Sequence, residues 1–251
     1  MSKTLSHQQM LKYNRHIALP AMDLEGQEKL LNAHVVIIGM GGLGCAVAPY
    51  LAAAGMGRLT LVDDDEVDSH NLQRQILFTE SSIGKNKAEQ AREQLTQLNS
   101  EADITVIPLR ADSDLLNKLA AEATMIVDCC DNLETRNNIN KACLNNRTPL
   151  VSGSAIRFEG QIASFSMQKD SPCYACYSQF FGEQQLSCTE AGVLSPLVGV
   201  VGTMQAVEAI KIAAGIGQPL YSSVLLFDAL HSDWQRFNIQ RHPDCPHCSK
   251  T

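Results

Sequence analysis

The stretch VDDDEVDSHNLQRQ, residues 62 to 75, places five carboxylates within seven positions and then turns to Asn71, Gln73, Arg74 and Gln75. Acids followed at once by amides and a cation suit a surface that handles both hydroxyl groups and phosphates. The stretch lies downstream of a glycine-rich turn, VVIIGMGGLG (35 to 44), in which Gly39, Gly41 and Gly44 have the spacing G-x-G-x-x-G. The apolar run from Leu43 to Ala54 reads as a helix, and RLTLVD reads as a second strand ending at Asp63, nineteen residues past Gly44. Strand, glycine turn, helix, strand and terminal acid in this register describe a nucleotide-binding βαβ unit. Glycines such as Gly41 and Gly42 let backbone N–H groups at a helix N-terminus approach phosphate, and the acid at the end of the second strand takes ribose hydroxyls. Glycines needed only for helix-strand packing would give the first half of the pattern and not the acid. Asp63 is therefore expected on ribose and Asp65 on a metal ion or an adenosine group, with Glu66 and Asp68 as solvated loop charges.

The next helix opens GKNKAEQA, which puts Lys85 and Lys87 near its first turn. A cation there opposes the helix dipole by roughly 0.3 to 1 kcal/mol unless an anion sits nearby. Arg74 and a lysine together would clamp a triphosphate, which carries more negative charge than a dinucleotide. A solvated lysine satisfies the same spacing. A nicotinamide-dependent oxidoreductase would account for the first 63 residues and leave Arg74 and Lys87 without a task. Another apolar strand ends VDCCDNLETRNNIN, so Asp131 and Asn132 fall at the C-terminal edge of a sheet, where open α/β folds bind ligands. Asp131 could cap the following helix, with Glu134 completing a capping box. The expectation favours contact with metal-bound phosphate, because Mg²⁺ bridging phosphates takes one or two carboxylates at such an edge.

Cys173 and Cys176 in CYAC match Cys245 and Cys248 in CPHC, with 68 residues between the two pairs. Two C-x-x-C knuckles supply four thiolates for a tetrahedral zinc ion, and such closed sites are structural. A redox reading of C-x-x-C needs a thioredoxin-like context that is absent here. Zinc would pin the later segment to the region near 175 and add ~10 kcal/mol or more to local folding. Cys188, in FFGEQQLSCTEAGV and just before Glu190, precedes a long helix. A thiol in such a place is either activated or a plain loop thiol. Cys45, Cys129, Cys130 and Cys143 lie in apolar strands or helices and are expected in the core.

The elements that must position these groups alternate along the chain. Strands are expected over 102–109, 124–130 and 148–153, with helices over 84–98, 112–122 and 133–146. That alternation predicts an α/β fold: a Rossmann-like, mostly parallel sheet with helices on both faces. After 153, alternating segments over 160–167, 222–229 and 234–240 suit antiparallel additions at one edge. Between them a long helix is expected, capped by Ser195, with Pro196 in its first turn, Val200, Met204, Val207 and Ile210 as its buried stripe and Gly215 at its end. At 251 residues the chain is expected to form one domain: an N-terminal helix over 6–18, the nucleotide core over 33–153 and a zinc-bearing part over 154–251. The net charge of −7, without a dense basic run, argues against a nucleic-acid face. No signal peptide opens the chain, and AGVLSPLVGVVGTM is broken by Ser, Pro and Gly and reads as too short to span a bilayer. The protein is expected in the cytoplasm, where nine cysteines point to metal or redox use rather than disulfides.

Taken together, GMGGLG, the run D-x-D-x-V-x-x-x-N-L-Q-R-Q from Asp63 to Gln75, Lys87, DCCDN and the paired knuckles resemble the MoeB/ThiF family, bacterial relatives of ubiquitin-activating enzymes. The resemblance runs from YNRHI (13 to 17) to CPHC. It implies adenylation of the C-terminal glycine of a small ubiquitin-like sulfur carrier ending in Gly-Gly, with Mg-ATP as co-substrate and pyrophosphate as product. It further implies Asp63 on ribose, Asn71, Arg74 and Lys87 at the phosphates, Asp131 on Mg²⁺, and Gln73 and Asn132 among the other nucleotide-binding residues. Arg15 would reach the site of a partner subunit in a homodimer. The string FGEQQLSCTEAGV is more similar to the MoeB branch, whose carrier is the small subunit of molybdopterin synthase, than to the ThiF branch, whose carrier serves thiamine thiazole formation. No sulfur-transfer domain follows the second knuckle, so a separate protein is expected to deliver sulfur. Cys130 stands where the family often has Thr, and Met40 where it has Leu.

Overall fold

The computed structural model describes residues 3–179 and 191–249. Before the sheet come α1 (His7–Lys12), α2 (Asn14–Ile17) and α3 (Asp23–Asn32). The helix expected over 6–18 is broken at Tyr13, whose ring is buried where it packs against Gly55. Ser6 caps α1 in a capping box with Gln9.

Eight strands form one sheet in the order β3-β2-β1-β4-β5-β6-β7-β8. The first five are parallel: β1 (His34–Ile38), β2 (Arg58–Val62), β3 (Asp103–Ile107), β4 (Met125–Asp128) and β5 (Leu150–Ile156). Their crossovers are α4 (Gly42–Ala53), α5 (Lys87–Leu98), α6 (Ser113–Glu122) and α7 (Leu133–Asn146). The order reverses between β1 and β4, and that reversal opens a crevice at the strands' C-terminal ends. Antiparallel pairing then adds β6 (Glu159–Phe165), β7 (Ser223–Asp228) and β8 (Asp233–Asn238). The fold is thus a Rossmann-like α/β sheet with an antiparallel extension.

Strand β1 shows why the run VVII is buried throughout. Val35 and Ile37 join an apolar cluster with Leu30 and Leu51, while Val36 and Ile38 join a second cluster with Leu116 and Ile139. Both faces of a parallel sheet are covered by helices, so period-two alternation puts both sets of side chains in a core.

Helix α8 (Tyr174–Ser178) follows the first knuckle, and α9 (Ser195–Ala214) packs on α3, α4, β5 and β6. Two expectations for α9 need correction. Leu194 is its N-cap; Ser195 is the first helical residue, and its hydroxyl donates to the Gln73 carbonyl. The buried face carries Leu197, Val198, Val201, Gly202, Gln205 and Ala206, whereas Val200, Met204 and Ile210 are half-buried and Val207 is exposed. The helix is apolar nearly all round, so hydrophobicity alone does not select a face. Close approach selects it: a Cβ at Gly202 would lie 2.7 Å from the Ala46 Cβ. Two polar residues also face inward because they find partners there. Gln205 Nε2 donates to the Asp128 carbonyl at 2.8 Å, and Glu208 Oε2 accepts from the Leu220 N–H at 2.7 Å. With 20 residues, α9 is long and apolar enough to cross a membrane by length and composition, contrary to the expectation that the segment is too short. Here it serves as a core helix.

Candidate functional site

A cavity of about 900 Å³ opens in the crevice at the C-terminal ends of the parallel strands. Its first wall is the glycine turn. Gly39 has φ +94°, and a Cβ there would lie 2.9 Å from the Cys129 carbonyl oxygen; a Cβ at Gly44 would collide with the Gly39 carbonyl. Gly41 is the N-cap of α4, Gly42 its first residue, and both line the cavity. The first N–H groups of a helix have no intrahelical partner, which makes this end receptive to an anion.

Asp63 follows the last residue of β2, beside that turn. One carboxylate oxygen accepts from the Met40 N–H at 2.6 Å and the other from the Asp65 N–H at 2.8 Å. Burial pushes its pKa above the usual carboxylate range, against the pull of the Met40 N–H and of Lys87. Lys87 opens α5, is buried, and places its ammonium 2.8 Å from the Asp65 carboxylate. Asp65 is thus the anion that offsets the unfavourable position of Lys87 on the helix dipole. Lys85 lies before the cap Asn86, exposed, and stands outside the cavity wall.

Ser69–Asn71 form a short 3-10 helix that runs on as a turn to Arg74. Asp68 caps it by accepting from the His70 N–H, so this acid has a structural task beyond solvation. The Gln75 N–H bonds the Asn71 carbonyl, which puts Asn71, Arg74 and Gln75 on the cavity side and leaves Gln73 outside the wall. Gln73 was expected among the nucleotide-binding residues; helical spacing turns its side chain to solvent, and Gln75 takes the inward place. Gln75 is 3% exposed, and its Oε1 is the one buried side-chain polar atom without a hydrogen-bond partner among the described residues. Arg74 Nη1 donates to the His70 carbonyl at 3.1 Å.

Across the cavity, Asp131 and Asn132 stand on the β4–α7 loop. Asn132 is the N-cap of α7, its oxygen accepting from the Thr135 N–H at 2.9 Å, and this leaves the exposed Asp131 at the rim without cap duty. The floor below them was not anticipated from sequence. Arg136 is buried, 3.1 Å from the Asp128 carboxylate; it donates to Ser152 Oγ at 3.0 Å, to the Gly153 carbonyl at 2.7 Å and to the Cys130 carbonyl. A charge buried inside a helix leaves no periodic mark; VD at the end of the apolar strand was the available signal. Cys45, Cys129, Cys130 and Cys143 are buried, and Cys129 and Cys130 also line the cavity. Burial pushes both of those thiols well up, so they stay protonated.

The cavity continues along β5 and β6 past Ser154, Gln161, Tyr174 and Tyr177. Immediately behind the tyrosines, the sulfurs of Cys173, Cys176, Cys245 and Cys248 all lie within 4.8 Å of one another, fully buried. Sulfur contacts of 3.4, 3.7 and 4.0 Å fit four ligands about 2.3 Å from one ion, which places them roughly 3.8 Å apart. The His242 N–H points at Cys176 Sγ at 3.4 Å, stabilising thiolate charge. Arg15 is exposed on α2, away from this chain's own cavity wall. Cys188 and Glu190 lie outside the described residues.

A family model described as the ThiF family matches residues 13–247. Over 246 residues the chain is 45% identical to the molybdopterin-synthase adenylyltransferase of Salmonella typhimurium, covering 98% of this chain and 99% of that protein. It is 42% identical over 244 residues to the sulfur carrier protein ThiS adenylyltransferase of Escherichia coli, covering 97% of each. Among solved structures, E. coli MccB with ATP is similar at a TM-score of 0.79 and 28% identity, over 89% of this chain and 69% of that one.

Proposed function

Because the chain belongs to the ThiF family and is an adenylyltransferase, we propose that it adenylates the C-terminal glycine of a small ubiquitin-like sulfur carrier, the small subunit of molybdopterin synthase. The observation that carries this reading is the convergence of Asp63, Asn71, Arg74, Lys87 and Asp131 on one cavity that continues past Tyr177. ATP would lie with ribose at Asp63 and its phosphates between the start of α4 and the cations Arg74 and Lys87. Asp65 and the phosphates compete for the single ammonium of Lys87, so triphosphate entry exchanges one anion for another at a prepared cation. The orphan oxygen of Gln75 supplies an acceptor for a hydroxyl or amino group of the nucleotide.

A Gly-Gly tail, having no side chains, can run extended along β5 toward the α-phosphorus. The tail's carboxylate forms a P–O bond there while the bond to pyrophosphate breaks. The protein contributes alignment and charge stabilisation rather than covalent chemistry. Mg²⁺ would be held by Asp131, freed from capping, and would neutralise phosphate charge. Zn²⁺ fits the four buried sulfurs and would close the knuckles against each other. Metal analysis of fresh protein should return one zinc per chain; protein folded without zinc removes this assignment.

We assign Arg15 to the cavity of a second copy in a homodimer. Mixing inactive Arg15→Ala with inactive Asp131→Ala then restores activity, since one site of each mixed dimer is intact; no recovery on mixing removes Arg15 from the site. The carrier test offers Mg-ATP and each of two carriers, from the molybdopterin and thiamine branches, and follows by mass spectrometry which acquires AMP. AMP on the thiamine carrier alone reassigns the branch, and AMP on neither removes the activity. Sulfur would arrive afterwards from a separate donor protein.

A further inference from the structure

We infer that Asn140 is a positioning residue which, by holding both cysteine knuckles at once, fixes where Tyr174 and Tyr177 stand at the far end of the cavity. The inference rests on the reading of that end as the passage for the carrier's tail.

Asn140 is fully buried on α7, one turn after Arg136. Its amide oxygen accepts from the Tyr174 N–H at 3.0 Å. Its amide nitrogen donates to His247 Nδ1 at 2.8 Å and lies 3.6 Å from Cys173 Sγ. Tyr174 belongs to the first knuckle and His247 to the second, so one side chain ties the two halves of the cluster to the helix that leads back to Asp131. Helix α8 has five residues and cannot hold its own place, because a helix this short is unstable in isolation. Its position is set by what grips its first turn.

That grip reaches the cavity. Tyr174 and Tyr177 both line it, and the Tyr177 hydroxyl donates to Gln161 Oε1 at 2.6 Å. The Arg136 guanidinium, 6.0 Å from the centroid of the Tyr174 ring, also holds the Cys130 carbonyl, next to Asp131. The cluster, α8 and the floor of the site therefore meet on consecutive inward turns of α7. A plain buried amide, filling a hydrogen-bonding slot, would affect stability alone. A positioning amide separates the two substrates: its loss disturbs the tyrosine end and leaves the glycine turn and Asp63 alone.

The test is Asn140→Ala, assayed for KM of carrier and of ATP in pyrophosphate exchange, and for zinc transfer to a colorimetric chelator. Orienting partners of metal ligands are worth about 10–100-fold in affinity or activity. The expected result is a carrier KM raised about tenfold, an ATP KM within about twofold of wild type, and faster zinc transfer. His247→Ala, which removes only the acceptor on the second knuckle, should move both readouts the same way, and it carries the test should Asn140→Ala not fold. A wild-type carrier KM in an active variant, or an equal rise in both KM values, overturns the inference. Wild-type protein that adenylates no carrier overturns instead the reading of the passage, and zinc transfer then reports on Asn140 independently.

Discussion

Asp131 and Asn132 are adjacent, yet they divide two tasks: Asn132 closes the first turn of α7 through Thr135, and Asp131 is left facing the cavity from the rim. Asp131→Ala should therefore abolish ATP-pyrophosphate exchange while leaving the melting temperature close to wild type. Asn132→Ala should cost about 1 kcal/mol through the lost cap, a fall of roughly 2–4 °C for a chain of this size, with a smaller loss of exchange than Asp131→Ala. Calorimetry and exchange on the two variants check this; a large drop in melting temperature for Asp131→Ala would make that acid structural.

Asp65 is the partner of a buried ammonium while being itself 68% exposed. Asp65→Ala strands Lys87 and should cost roughly 1–3 kcal/mol, more than an exposed acid ordinarily does. Added Mg-ATP should then raise the variant's melting temperature by more than it raises that of wild type, because phosphate oxygens re-pair the lysine. A smaller ligand-induced rise in a thermal-shift assay would show that Asp65 itself holds the nucleotide or its metal.

The Asp128–Arg136 pair lies beneath the cavity with both side chains almost wholly excluded from water. Asp128→Asn leaves an uncompensated guanidinium among carbonyls and should destabilise by about 3–5 kcal/mol, read from the urea midpoint. Coulombic attraction to Asp128 keeps Arg136 charged despite burial. A loss under about 1 kcal/mol would show that the carbonyls of Cys130 and Gly153 hold the cation by themselves.

His34, at the start of β1, is buried; Nδ1 contacts the Glu122 carbonyl at 3.2 Å and Nε2 contacts the Thr60 hydroxyl at 2.8 Å. A neutral ring that donates from Nδ1 and accepts at Nε2 satisfies both. Burial lowers its pKa from 6.5, so the folded state binds fewer protons than the unfolded one. Its contribution is present above about pH 6.5 and is lost as pH falls through the unfolded value toward the lower folded one. His34→Gln should flatten the decline in melting temperature between neutral pH and about pH 5.5. An unchanged slope would assign the acid loss to other groups.

The parallel half of the sheet was readable because strand, turn and helix there follow local periods, and because Gly39, Gly44 and Asp63 are fixed by backbone geometry within one βαβ unit. The cysteine cluster was readable for a different reason: its ligands are chemically unlike their surroundings. Three features were not. The face of α9 depended on where Gly202 could meet Ala46. The inward residue of the NLQRQ turn depended on the helical phase that begins at Asp68, which exchanged Gln73 for Gln75. The Asp128–Arg136–Ser152 floor joins a strand end, a helix and a second strand, and no window of sequence contains all three.

The sulfurs of Cys173 and Cys245 end 3.7 Å apart although 72 positions separate them. At roughly 5–20 residues per second, a growing polypeptide carries the first pair of thiols for about 4–14 s before the second pair is even synthesised. Through that interval α8 has nothing to close on, and the thiols are open to stray metals and oxidants. Assembly of the site's far end is therefore timed by translation of the later pair, whereas the glycine turn and Asp63, close together in sequence, can take shape while the ribosome is still at work.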